Sequence, residues 1–167
     1  MENRSGIYFV KTDWWYVERM VWLIAGIDVL ASSVLAAVHH PNWAFSILFV
    51  ALCSILVSLT GFCVVGNILY LLGAQPLVPA RKTVNNGQWS KIYFMQTDEW
   101  YLERCIYLFV GVNLSLSSIL ARFYSIKWLY FTGFVGTATI FFAFTGFCIM
   151  ANFLYRIGAE PRMCRYL

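Results

Sequence analysis

The sequence predicts an all-α integral membrane protein: four transmembrane helices, arranged as two parallel, repeated helical hairpins about a pseudo-twofold axis along the membrane normal. Three observations carry this. Apolar residues fill 60% of the 167 positions and charged residues only 12%, against roughly a quarter charged in a typical soluble protein. A water-soluble domain of this size has too much surface for its volume to hide that much apolar area, and mean hydropathy is +0.68. Four apolar stretches are each long enough to cross a bilayer core, which takes about 20 helical residues. Finally, the chain repeats itself at a constant offset. A cytosolic enzyme, a disordered tail and a disulfide-stapled secreted domain are thereby excluded.

The elements follow in order. Met1–Tyr16 lacks a basic start followed by a short apolar core, so no cleavable signal is expected. Ile7–Tyr16 reads as an entry segment in the interface, with Thr12 or Asp13 as the helix N-cap. The first span is Val17–Val38, closed by His39-His40-Pro41-Asn42. The second, Ala44–Leu72, is longer than a bilayer needs and is expected to tilt or to continue along the inner interface. Leu77–Lys91 is a linker, with Pro79, Asn85, Asn86 and Gly87 as turn formers. The third span, Leu102–Phe123, is preceded by Thr97 or Asp98 as N-cap and followed by Tyr124-Ser125-Ile126-Lys127; the fourth is Leu129–Ile157. The short turns predict a tight helical hairpin in each half. The uniform apolarity, without alternation, argues against a barrel. The division is thus 1–76, a linker 77–91, and 92–167.

An even number of spans puts both ends and the linker on one side. That side carries Arg4, Lys11, Arg19, Arg81, Lys82, Lys91, Arg104, Arg156, Arg162 and Arg165; the other carries Arg122 and Lys127. The bias predicts cytoplasmic termini. The net charge of +4 then reads as a topology signal and an attraction to anionic lipid head groups, not as nucleic-acid binding.

The repeat has an offset of 85. Ile7-Tyr8-Phe9 returns as Ile92-Tyr93-Phe94, Trp15-Tyr16 as Trp100-Tyr101, Glu18-Arg19 as Glu103-Arg104, Ser32-Ser33 as Ser117-Ser118, and Thr60-Gly61-Phe62-Cys63 as Thr145-Gly146-Phe147-Cys148. Gly73-Ala74 and Pro76 return as Gly158-Ala159 and Pro161, and about two in five aligned pairs over Ile7–Pro76 are identical without a gap. Each half holds an even number of spans, so the halves share one orientation.

On these motifs each half resembles the transmembrane domain of the YgaP-type bacterial inner-membrane proteins. The matching features are the Asp-x-x-x-x-Glu-Arg entry, a glycine early in the first span, and Gly-Phe-Val-Gly at Gly133–Gly136. To these are added Thr-Gly-Phe-Cys at Thr60–Cys63 and Thr145–Cys148 and a closing Leu-x-x-x-Gly. The resemblance spans about 140 residues and implies a place in the bacterial inner membrane. Some relatives carry a cytosolic rhodanese domain, which moves sulfane sulfur; none is expected in this chain.

Cys63 and Cys148 are the first functional candidates. Each lies about 28 Å along its span at 1.5 Å per residue, in the same leaflet as Arg19 and Arg104. A thiol beside a guanidinium is acidified and nucleophilic, which suits a pair of sites handling small anionic sulfur species. The competing and preferred reading is a small residue that lets helices pack closely while the arginine snorkels. Cys53, Cys105 and Cys164 lack counterparts in the other half and read as packing or solvent-facing thiols. Asp28, near the middle of the first span with Asn113 as its counterpart, suits a proton or cation relay; the preferred alternative is a protonated acid hydrogen-bonded to Ser32, Asn113 or a partner protein. His39 and His40 are candidate ligands for a haem, chlorin or metal, and more simply polar residues at the interface. No cofactor is expected.

Glu18-Arg19 and Glu103-Arg104 read as interface anchors within an aromatic belt of Trp14, Trp15, Tyr16, Trp22, Trp100, Tyr101 and Tyr107, with Trp43 and Trp128 anchoring the other side. Small residues at four-residue spacing, Ser32/Ala36 with Ser117/Ala121 and Ser54/Ser58 with Thr139/Ala143, predict helix contacts. The function expected is a non-catalytic subunit that docks on or stabilises a larger membrane complex, its partners being lipids and other integral membrane subunits. The alternative is a small transporter or channel-like module for small anions, sulfur-containing ones included.

Overall fold

A computed structural model describes residues 6–77 and 92–163. Residues 78–91, Arg4, Cys164 and Arg165, all used above, lie outside the described residues. The described chain is all-helical: α1 (Val17–Val38), a 3₁₀ turn (Pro41–Trp43), α2 (Ala44–Thr60), α3 (Val64–Leu71), α4 (Leu102–Phe123), α5 (Trp128–Thr145) and α6 (Ile149–Ile157). Four stretches, Val17–Val38, Pro41–Thr60, Leu102–Phe123 and Trp128–Thr145, are long and apolar enough to span a bilayer, which makes this a multi-pass membrane protein.

The helix boundaries have local causes. Pro41 lacks an amide proton and forces His40 into extended backbone, φ −157° and ψ 133°, so α1 stops and the chain turns. The expected long second and fourth spans are each broken in two. Gly61 adopts φ +75° and Gly146 φ +73°, a left-handed cap that terminates α2 and α5. The flanking threonines complete the break: Thr60 Oγ1 donates to the Leu56 carbonyl at 2.7 Å and accepts from the Phe62 amide at 3.1 Å. Thr145 does the same with Phe141 at 2.8 Å and Phe147 at 3.2 Å. Cys63 and Cys148 then N-cap α3 and α6. Each Thr-Gly-Phe-Cys element is a device for ending one helix and starting another.

The helix starts also differ from expectation. The N-caps of α1 and α4 are Tyr16 and Tyr101, without side-chain cap bonds, rather than Thr12/Asp13 and Thr97/Asp98. The reason is tertiary: the first amides of these helices are taken by distant carbonyls, Val17 by Gln75 at 3.1 Å and Leu102 by Glu160 at 2.9 Å.

Packing does not follow the tight hairpins that the short turns predict. α1 lies chiefly against α5, and α2 against α4. Glycines allow the approach. A Cβ on Gly26 would sit 3.0 Å from the Gly136 carbonyl oxygen and 2.8 Å from Ile140 Cγ1; one on Gly111 would sit 2.9 Å from the Ala51 carbonyl oxygen and 2.7 Å from Ile55 Cγ1. Ser32, Ser58, Ser117 and Ala143, among the small residues expected at contacts, are buried. Ser118 Oγ reaches across to the Ala44 carbonyl at 2.7 Å.

Two cores result. A smaller one in the middle of the bundle contains Val29, Ala36, Ile47, Ala51, Leu114 and Leu129. The larger one includes Tyr8, Tyr16, Trp22, Tyr93, Tyr101 and Tyr107. It sits at the terminal end, where the entry segments before α1 and α4 fold over the helix breaks. The Val10 amide donates to Gly146 O at 3.0 Å and the Met95 amide to Gly61 O at 2.9 Å, so each entry segment covers the break of the other half.

Candidate functional site

The terminal end gathers the polar groups. Arg19 and Arg104 do not snorkel; both are buried, and their guanidiniums are consumed by carbonyls. Arg19 Nε donates to Ala143 O at 2.6 Å, and Nη1 donates to Thr12 O at 3.0 Å and Trp14 O at 3.1 Å. Arg104 Nε donates to Ser58 O at 2.6 Å, and Nη1 to Thr97 O at 2.9 Å and Glu99 O at 3.1 Å. These are carbonyls that the helix breaks and entry segments leave without helical partners, so the arginines act as C-caps reached from another helix. Trp15 and Trp100 lie over the guanidiniums at 4.0 Å and 3.9 Å, adding cation–π attraction.

Glu18 and Glu103 are buried as well, at 2% and 0% exposure, instead of facing the interface. Tyr93 Oη donates to Glu18 Oε1 at 2.7 Å and the Leu77 amide to Oε2 at 3.0 Å. Tyr8 Oη donates to Glu103 Oε1 at 2.7 Å, and the Met163 amide to the same oxygen at 2.8 Å. Buried carboxyls without such donors would be costly. Burial, and then Glu18, holds the Tyr93 hydroxyl well above the ordinary phenol range. It therefore stays a donor at all physiological pH.

Asn67 and Asn152 finish the clamp. Asn67 Oδ1 accepts from the Tyr93 amide at 2.7 Å while Nδ2 donates to Tyr93 O at 2.9 Å and Cys63 O at 2.8 Å. Asn152 treats Tyr8 and Cys148 in the same way, at 2.7, 3.1 and 2.9 Å. The tyrosines and asparagines are absent from the sequence-based candidates. Their signal is present nonetheless: they are polar identities recurring 85 positions apart in an otherwise apolar chain.

Cys63 and Cys148 enter this network through their carbonyls, and their thiols sit beside it. Cys63 Sγ accepts from the Gly66 amide at 3.2 Å. Burial pushes both thiols above their usual pKa, against a smaller lowering by nearby amides. The Arg19 and Arg104 guanidiniums donate to carbonyls, and burial is the largest influence on both thiols. Burial thus works against an activated thiolate at either position. Cys53 and Cys105 are partly buried on α2 and α4.

Asp28 is partly exposed on α1. Its partner is neither Ser32 nor Asn113 but Ser46 of α2, whose Oγ donates to Oδ2 at 3.3 Å. His39 and His40 are exposed at the opposite end; His39 Nδ1 accepts from Trp43 Nε1 at 3.3 Å and His40 Nδ1 from the Asn42 amide at 3.2 Å. Among the described residues, no group of three His, Cys, Asp or Glu side chains could hold a metal ion. In comparisons with known proteins, no family model, curated protein or solved structure matches the chain.

Proposed function

We propose that the chain is a non-catalytic subunit of the bacterial inner membrane, docking on or stabilising a larger membrane complex. It is a duplicated two-helix unit of YgaP-like type, with a pseudo-twofold axis along the membrane normal and both termini in the cytoplasm. The observation that carries this reading is where the polar groups go. Arg19, Arg104, Glu18 and Glu103 are all spent on closing the bundle, and the surface of the spans is apolar, with Phe49, Leu52, Phe134 and Phe144 more than half exposed. A scaffold with these four charges locked inside and largely apolar spans outside offers packing surface. The duplication is supported by the recurrence of each clamp contact 85 residues on, Tyr8 to Glu103 against Tyr93 to Glu18 being one such pair. A transporter for small anions draws less support, because Asp28 stands at the side of α1 beside Ile24 and Ile27, both exposed.

Extraction in mild detergent followed by native electrophoresis tests the reading. The protein should migrate in an assembly with other integral membrane proteins, named by mass spectrometry. Migration as a lone 19.2 kDa chain in detergents that preserve membrane complexes would reject it. Reporter fusions at Leu167 and within His39–Asn42 should give opposite locations.

A further inference from the structure

Among the described residues of α1, Asp28 is the one charged side chain that is not buried. Asp28 lies eleven residues into α1, about 16 Å along it at 1.5 Å per residue, near the middle of a roughly 30 Å hydrocarbon core. Around it on the same face are Ile24 (43% exposed) and Ala31, at helical spacings of four and three. Asp28 is itself partly exposed, and among the described residues its one hydrogen-bond partner is Ser46, at the long distance of 3.3 Å. A carboxyl group keeps acceptor capacity beyond that one bond in either protonation state. Acyl chains can fill none of that capacity, and head groups lie about 15 Å away. The second half lacks this carboxyl–hydroxyl pair. Asn113 stands where Asp28 would be and bonds back to Phe109 O at 2.8 Å, and Phe131 stands where Ser46 would be.

We infer that the α1–α2 face around Asp28 and Ser46 is the docking surface, and that its occupant is a transmembrane helix of a partner protein carrying a hydrogen-bond-donating side chain at mid-membrane depth. This rests on the subunit reading above and makes it one-sided. Complementarity selects the occupant: the face presents an acceptor in a medium without donors, and an interhelical donor is the way membrane proteins meet that need. A second copy of this chain fits poorly, because an isologous pair would set Asp28 against Asp28.

The test places a photo-crosslinking amino acid at Ile24 or Ala31, and separately at Phe134 or Phe141 on α5, in the full chain in its native membrane. Adducts are identified by mass spectrometry. Ile24 and Ala31 should yield an adduct with one membrane protein, mapping to a helix with an Arg, Lys, Asn or Gln near the crosslinked depth. In an Asp28→Ala background the yield should fall at least fivefold, while Asn113→Leu leaves it unchanged. An unchanged yield in Asp28→Ala, or adducts with a second copy of the chain, would overturn the inference. Protein adducts from Phe134 or Phe141 alone would overturn this face and leave the subunit reading standing. Lipid adducts from all four positions would sink both.

Discussion

Tyr8 and Tyr16 are both buried tyrosines of the terminal core, at 0% exposure each, and they are expected to behave oppositely. Tyr8 Oη donates to Glu103 Oε1, so Tyr8→Phe strips a donor from a buried carboxyl; hydrogen bonds to charged groups are worth about 1.5–3 kcal/mol. Tyr93→Phe should cost as much through Glu18. The hydroxyls of Tyr16 and Tyr101 have no partner among the described residues, so Tyr16→Phe and Tyr101→Phe remove an unsatisfied buried group and should be neutral or stabilising. Thermal unfolding in detergent separates the two pairs; equal losses would mean that Tyr16 is bonded after all. The thiols permit a second prediction. Because burial raises Cys63 and Cys148, their thiolate fraction near neutral pH is below that of an ordinary cysteine. Alkylation by a water-soluble reagent should be slow there and rise about tenfold per pH unit until the raised pKa is reached. Rapid labelling at pH 7 that Arg19→Ala or Arg104→Ala abolishes would restore the thiol–arginine reading.

The helix breaks decide how the elements meet. A side chain at Gly61 needs a left-handed backbone that costs roughly 1–2 kcal/mol, and its Cβ would collide with the Met95 carbonyl oxygen. At Gly146 the Cβ would come within 2.6 Å of Val10 O. Gly61→Ala and Gly146→Ala should therefore each destabilise by more than about 2 kcal/mol, measured as the loss of folded protein on heating in detergent. Gly73→Ala should cost less, since nothing lies within 4 Å of its Cβ position although φ is +95°. An equal effect at Gly61 and Gly73 would show that the close approach does not matter. These breaks also mark what the sequence conveys. Val17–Val38 and Leu102–Phe123 are legible as helices because their apolar runs are bounded by charged and turn residues. Gly61 and Gly146 are not legible as breaks, since a single glycine in an apolar run is compatible with a continuous helix. What makes them breaks is a backbone partner 34 residues later in the first case, Met95, and 136 earlier in the second, Val10. The site divides in the same way. Glu18 and Arg19 are visible as charges at a helix start, but their burial depends on the other half folding over them, and periodicity carries no such information. Tyr8, Tyr93, Asn67 and Asn152 become legible only when polar identities in the repeat are weighted above apolar ones.

The whole molecule is held by contacts that cross between its halves. Within the first half, α1 and α2 meet through the Asp28–Ser46 bond and limited packing. Across the halves run the close α1–α5 and α2–α4 seams at Gly26 and Gly111. With them go the arginine bonds to Ala143 and Ser58, the tyrosine–glutamate pairs and the asparagine clamps. Residues 78–91, which join the halves, lie outside the described residues. A cut within that segment leaves the cross-half contacts of the described residues in place, and tethers act mainly by raising effective concentration. A protease site inserted at Asn86–Gly87 and cleaved after the protein has folded should therefore leave the two fragments co-eluting in detergent at a concentration-independent ratio. The unfolding temperature should fall only modestly. Tyr8→Phe combined with Tyr93→Phe should then promote dissociation of the cut protein while the uncut double variant stays in one piece. Spontaneous separation of the unmutated fragments at micromolar concentration would show that the linker, rather than the crossed helix pairs, holds the bundle together.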